Sequence, residues 1–331
     1  MFKQACIILI LTLIACQGEH GQKQDDYRNY HRQMIIADQD IVNGRYQEAL
    51  TVMDQVFRHY DFVFLRDYQI AAQIAVYIGK RPKAFEYLRA AIANGLTLPS
   101  IRKNKLLRQL QTDPAWQPLV KEYPALHRRY LQRLDMPMRN ILKQLFKDDQ
   151  KLAAENLKIT GEKAQDDFLM RRFVPQSERQ VKQIYELILQ KGYPGEKRIG
   201  NTLWAWTILS HHNSISPAYV RQDKLYAALR PLLFKAIATG DLSPGDLAVI
   251  EDWRITVGSD HKERSYGYLN TLTIHDLPKA DQLRQAIGLP SIKLRNQLVD
   301  VQKRTGIDFY LEGTMWVEGK IPVLKKIYAT Q

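Results

Sequence analysis

Across residues 25–135 apolar side chains recur at spacings of three and four, and the strict alternation of a half-buried strand is absent. That spacing predicts helices throughout this stretch. The same periodicity continues beyond about Met136. Residues 140–157, which contain Lys147-Asp148-Asp149-Gln150, form one amphipathic segment. Residues 180–190 form another, ended by Lys191-Gly192-Tyr193-Pro194-Gly195, a strong stop. Helices are then expected over 202–210, followed by His211-His212-Asn213, and over 217–239, stopped by Gly240. Ser243-Pro244-Gly245-Asp246 places Ser at an N-cap, Pro at the first helical position and Asp at the third, opening a short helix through Trp253. Gly258 and Gly267, with Tyr266, Tyr268 and Leu269 between turn signals, predict a small β-hairpin or extended loop. Residues 306–327 alternate apolar and polar side chains around Glu312-Gly313 and Glu318-Gly319, and are expected to add strands to it. The fold class expected is mainly α with a small β-hairpin element.

Two stretches of the helical front half resemble each other. Asn43-Gly44-Arg45-Tyr46-Gln47-Glu48-Ala49 and Ile78-Gly79-Lys80-Arg81-Pro82-Lys83-Ala84 both contain Gly-x4-Ala, offset by 35 residues. The offset lies near the tetratricopeptide period of about 34 residues. Glycine ends the first helix of a pair and turns the chain, and alanine lets the second helix pack closely. Tyr68, Ala71, Ala72 and Ala75 before Gly79, and Leu88 and Ala91 after it, occupy the large and small positions of that pattern. The first unit matches less well: Ile36, Ala37 and Met53 fit, Asp40 does not, and Val56 stands for a small residue. The terminal proline is missing from both units. Two units are fewer than the about three that a solenoid needs. Residues 96–134 are therefore expected to supply closing helices, with Leu106, Leu107 and Leu110 as an apolar stripe and Asp113-Pro114 opening a helix over 115–120. The reading is a tetratricopeptide-like helical repeat domain over 25–135, with Gly44, Ala49, Gly79, Ala84 and Ala91 as packing residues. A plain helical bundle is the alternative.

The first sixteen residues read MFKQACIILILTLIAC. One positive charge, Lys3, precedes an apolar run from Ala5 to Ala15 broken only by Thr12. The run has the length of a secretory signal and is shorter than the about 20 apolar residues that span a bilayer. Leu13-Ile14-Ala15-Cys16 followed by Gln17, Gly18 and Glu19 resembles the lipobox of bacterial lipoproteins. The resemblance implies a signal peptide over 1–15, lipidation at Cys16, and a tether over 16–24. It also implies anchorage in the bacterial cell envelope, with Gln17 pointing to the outer membrane. The chain has two cysteines, Cys6 and Cys16. With Cys6 in the signal and Cys16 acylated, the mature body has no disulfide, no cysteine nucleophile and no cysteine metal site.

Composition changes this picture little. Hydrophobic content of 45% and charged content of 25% are ordinary for a globular chain. The formal charge of +13 would suggest nucleic acid in a cytoplasmic protein. Export removes that partner and leaves anionic lipid, acidic glycans or an acidic protein. The densest basic stretches are Arg102, Lys103, Lys105 and Arg108, then Arg128, Arg129 and Arg133. A solvated helix face is the simpler account of both.

From about 138 to 299 a series of features occurs in a fixed order. It runs Asp149-Gln150, Gly192-Tyr193-Pro194, Gly200, a Trp204/Trp206 helix ending in His211-His212, Leu247-Ala248 to Asp252, Tyr266-Gly267, and Arg284 to Ser291. In this order they resemble an uncharacterised bacterial domain family, often found in lipoproteins behind helical repeats. The chain departs from the family where His211-His212-Asn213 replaces His-Ala-Asp, and where Tyr268-Leu269 follows Tyr266-Gly267. The resemblance implies an α-helical domain over 136–331 and carries no activity.

Candidate chemistry is sparse. Adjacent His211 and His212 project about 100° apart on a helix and cannot share one ion, so no metal site is assigned, and no cofactor motif is present. There is no Gly-x-Ser-x-Gly elbow and no phosphate-cradling glycine loop. His211, Asp252, Arg254, His261 and Tyr266 are the polar residues that could form a catalytic or small-ligand site. Asp252 and Arg254 fit a structural ion pair or cap better than a site, and Trp204, Trp206 and Trp253 are expected in the core. Two functions follow from the sequence. One is a protein- or peptide-binding scaffold whose groove runs over the repeat, within 60–95. The other is an enzyme or small-ligand receptor with its site in 200–268.

Overall fold

In a computed structural model of the protein, residues 26–311, 313, 317 and 319–325 are described. The signal, Cys16 and the tether lie outside the described residues. The front half begins with α1 (Tyr27–Val42), α2 (Tyr46–His59), α3 (Leu65–Tyr77) and α4 (Arg81–Ala93). Helices α1 and α2 pack as one hairpin and α3 and α4 as the next. The two turns have the same geometry. Gly44 and Gly79 adopt φ of 76° and 77°. Each is followed by an amide that reaches back five residues along the chain, Arg45 N to Asp40 O at 2.8 Å and Lys80 N to Ala75 O at 2.7 Å. This closes the orphan carbonyls at each helix end and needs a residue free to take positive φ. Ala49, Ala84 and Ala91 have no solvent exposure, as close helix packing requires. Asp40, the misfit of the first unit, turns back to an ion pair with Arg45 at 2.5 Å.

The front half closes with α5 (Leu98–Lys103), a 3-10 turn over Leu107–Thr112 and α6 (Trp116–Arg133). Leu107 and Leu110 are fully buried there. Helix α6 runs well past the expected 115–120, and Pro124 sits inside it. Asp113 does not cap this helix in the expected register. Its carboxylate accepts the Ala115 amide, and α6 begins one residue later.

The second half contains α7 (Met136–Asn156), α8 (Glu162–Phe168), α9 (Val174–Lys191), α10 (Glu196–Ile199) and α11 (Leu203–His212). It continues with α12 (Pro217–Gln222), α13 (Lys224–Ala238), α14 (Pro244–Gly258), α15 (Leu277–Ile287) and α16 (Ile292–Thr305). Helix α11 is central, packed on α7, α9 and α14. Ser243 caps α14 as expected, accepting the Asp246 amide at 3.1 Å, but the helix continues to Gly258. The single helix expected over 217–239 is two, because Asp223 leaves helical geometry to cap α13 through the Leu225 and Tyr226 amides.

The expected β-hairpin does not form. Residues 264–270 are irregular, and among the described residues the only sheet joins β1 (Leu272–Thr273) to β2 (Val323–Leu324) in parallel. The reason is local: the amides of Tyr266 and Tyr268 are taken by a buried carboxylate, Asp252, instead of a neighbouring strand. Described residues of the tail do supply one strand, though not to a hairpin.

Two main cores result. The first gathers α1–α6; the second gathers α7, α9–α11, α13–α15 and the tail residues Val317 and Ile321. They do not divide at residue 135. Leu298 and Val301 of α16, with Ile307 and Phe309 after it, belong to the first core.

Candidate functional site

Helix α11 ends in a run of three polar side chains, each with its own buried partner. His211 Nδ1 lies 2.8 Å from Asp149 on α7. His212 is fully buried, with Nδ1 2.8 Å from Ser177 Oγ on α9 and Nε2 2.8 Å from Asp223. Asn213 donates to the Ile250 carbonyl on α14. Burial raises the Asp223 carboxyl, but the His212 bond and the two capping amides outweigh it and hold the carboxyl below its usual range. Adjacent histidines thus project to different helices, as their 100° separation demands.

Ser177, His212 and Asp223 are the polar types of a hydrolytic triad, and the sequence offered no signal that joined them. Chemistry at Ser177 needs a hydroxyl that a substrate can reach. Ser177 is 2% exposed and sits within helix α9, without a strained turn that would present it. The arrangement satisfies three buried polar groups and ties α9, α11 and α13 together.

On α14, Asp252 is 1% exposed and accepts from the Tyr266 amide at 2.7 Å, the Tyr268 amide at 2.6 Å and the Ser265 hydroxyl. Burial raises its carboxyl pKa against the pull of those donors. Glu251, also buried, accepts from Tyr226 Oη and Arg230 Nε, both at 2.8 Å. Tyr266 is buried, and its carbonyl accepts from Arg284 Nη1 at 2.9 Å. Asp252 and Arg284 therefore grip the two sides of one loop residue. Asp252 does not pair with Arg254, whose guanidinium lies 5.9 Å from the centre of the Tyr226 ring. His261 is exposed on a left-handed turn with φ of 60°.

The five residues His211, Asp252, Arg254, His261 and Tyr266 are not gathered around one space. Arg254 lines a surface cavity with Arg221 and Glu263, while Asp252 and Tyr266 are buried and His211 turns to Asp149. Trp204, Trp206 and Trp253 pack on the second core as expected.

The inner face of the front hairpins is also not an open groove. Gln73 on α3 is fully buried, donates to the Asp308 carbonyl at 3.0 Å and accepts the Asp308 amide at 2.8 Å. Gln69 and Asn104 both donate to Tyr310 Oη. The segment after α16 lies along this face, so the groove expected within 60–95 is filled there by the chain itself.

What remains open is a cleft where the halves meet. Its outer part, about 620 Å³, runs between α1 and the α15–α16 turn. Arg32 and Gln39 stand on one side, Gln282 and Gln285 on the other, with Ile35 and Leu294 among its apolar lining. An inner cavity of about 50 Å³ adjoins it and shares Ile35, Leu289 and Pro290. His31, Asp38, Arg66, Asp67, Arg284 and Arg295 line the inner part. Gly288 makes this close approach possible. It takes φ of 87°, and a side chain there would meet His31 Cβ at 2.7 Å. Burial, reinforced by the Arg66 charge, lowers the His31 pKa to about 3, so that ring is neutral.

Below the cleft, Glu196 of α10 accepts the Leu65 amide at 2.7 Å, capping α3 across the junction. Phe64, at the cap position itself, has no side chain able to do so. Burial pushes the Glu196 carboxyl up to about 7; Asp67 adds to this, while the Leu65 amide, Arg133 and Arg66 oppose it. Neither Glu196 nor the Arg66–Arg284–Arg295 set was singled out by the sequence. Arg284 alone carried a signal, as the start of the Arg284 to Ser291 motif that walls both parts of the cleft.

Comparison of the chain with protein-family models, curated proteins and solved structures gives no match in any of the three.

Proposed function

We propose that the protein is a lipid-anchored envelope lipoprotein that binds a peptide segment of a partner protein. The observation that carries this is the junction cleft: an open trough walled by the Gln39, Gln282 and Gln285 amides, the Arg32 guanidinium and the Asp281 carboxylate, with apolar side chains between them, the mix of donors and acceptors that an extended backbone needs. Anchorage through Cys16, and outer-membrane residence, are supported by the pattern of residues 1–17. The front hairpins are tetratricopeptide-like in their matching Gly44 and Gly79 turns. The ordered motifs of residues 138–299 support reading them as a domain of the uncharacterised family they resemble. The peptide seat is assigned to the junction cleft and not to the inner face of α3, which Asp308 and Tyr310 occupy.

The alternative, an enzyme or small-ligand receptor built on His211, Asp252 and Tyr266, has less support, because their polar contacts go to partners that hold the fold. The test is site-specific photocrosslinking in intact cells. A photoreactive residue at Gln285 should capture one reproducible envelope protein that the same residue at Lys103 on α5 does not. Equal capture from both positions, or none from Gln285, refutes the assignment.

A further inference from the structure

The inner cavity is too small for a side chain of any size and too charged to be a packing defect. By the about 10–15 Å³ that one water needs, 50 Å³ has room for roughly three or four waters, the space of one carboxylate. Three guanidinium groups and two carboxylates line it, with His31 uncharged, a surplus of one positive charge. Arg66 lies 3.5 Å from Asp67, whose carboxylate also accepts Tyr30 Oη at 2.6 Å. Arg295 donates to the Gly319 carbonyl. Arg284 is fully buried and donates only to carbonyls, Pro290 at 2.7 Å and Tyr266 at 2.9 Å. Its Nη2 has no hydrogen-bond partner among the described residues. Asp252, the nearby carboxylate whose charge Arg284 favours, is hydrogen-bonded by three other donors, and the Arg284 guanidinium lies 5.4 Å from the centre of the Tyr268 ring. A buried guanidinium that keeps an unbonded N–H is costly, and a carboxylate is a partner its planar fork fits.

We propose that this cavity receives the terminal carboxylate of a peptide whose last residues lie in the outer cleft. The inference rests on the reading of that cleft as a peptide seat. A monoanion balances the surplus charge, and a dianion would overshoot it. The free end of a chain is the carboxylate that can enter through the cleft while the preceding backbone meets Gln39, Gln282 and Gln285.

The test uses the immobilised full chain and two pools of N-acetylated random hexapeptides, one ending in a free acid and the other in an amide. Retention of the acid pool should exceed that of the amide pool by at least about ten-fold, the worth of one charge-assisted hydrogen bond. Arg66→Gln, at a partly exposed position, should bring the ratio close to one. Acetate should displace the acid pool more strongly than inorganic phosphate does. Equal retention of both pools overturns the carboxylate assignment and leaves the peptide seat standing. Retention of neither pool overturns the seat and the assignment together. Displacement by phosphate ahead of acetate overturns the monoanion choice.

Discussion

Glu196 makes the junction of the two halves sensitive to pH, with a sign opposite to that of most paired carboxylates. Its carboxyl is raised from 4.5 to about 7, first by burial. A difference of that size between folded and unfolded chain corresponds to about 3 kcal/mol. Below pH 4.5 the group is protonated in both states and costs nothing. Between 4.5 and about 7 the unfolded chain ionises while the fold holds its proton, so stability falls as pH rises, and above about pH 8 the whole contribution is lost. Against a total stability of roughly 5–15 kcal/mol this is a large fraction. Glu196→Gln keeps an oxygen that can accept the Leu65 amide at the start of α3 but removes the titration. Urea denaturation of both proteins across this range isolates the effect, because every other titrating group is common to the two. The variant should match the natural protein near pH 4.5 and gain on it steadily to about 3 kcal/mol by about pH 8. A difference between them that stays flat over that range would refute the raised carboxyl pKa.

Two further outcomes test the packing. Ala84→Leu inserts three carbons where α4 meets α3 with no solvent exposure, and should lower stability by about 1–3 kcal/mol in urea titration; a neutral result would mean the hairpin does not depend on close approach. Ser177→Ala removes one bond of the buried His212 and should cost about 1–3 kcal/mol, while a fluorophosphonate probe labels neither protein; labelling of the natural chain that the variant loses would make Ser177 a nucleophile.

Local features were legible in the sequence wherever one residue settles one turn. Gly44, Gly79 and Ser243 announced a helix end or start because the backbone conformation or cap they supply is local. Asp223 misled for the same reason: the apolar period runs straight through it, and only its side-chain capping bonds break the helix. The absent hairpin shows the limit of pattern. Tyr266, Gly267 and Tyr268 read as strand and turn, but the amides needed for a ladder are claimed by Asp252, thirteen or more residues away. The cleft was least legible of all. Its charged lining comes from α1, α3 and the α15–α16 region, and nothing in a single sequence says that His31 meets Gly288 or that Leu65 meets Glu196. Two of the candidate residues, half-buried His211 and buried Asp252, are anchors that a periodic reading placed on helix ends and loops.

The contribution of α16 and the segment after it to the first core has a consequence for how the chain is made. Synthesis delivers α1 to α6 first, yet Leu298, Val301, Ile307 and Phe309 complete the core those helices build, and Gln73 waits for Asp308, 235 residues downstream. The front hairpins therefore leave the ribosome with apolar surface that nothing yet covers. Folding of the first core finishes last, by closing a very long loop, which is the slow and aggregation-exposed way to fold. Until that final stretch arrives, a holding chaperone has a defined surface to occupy: the inner face of α3.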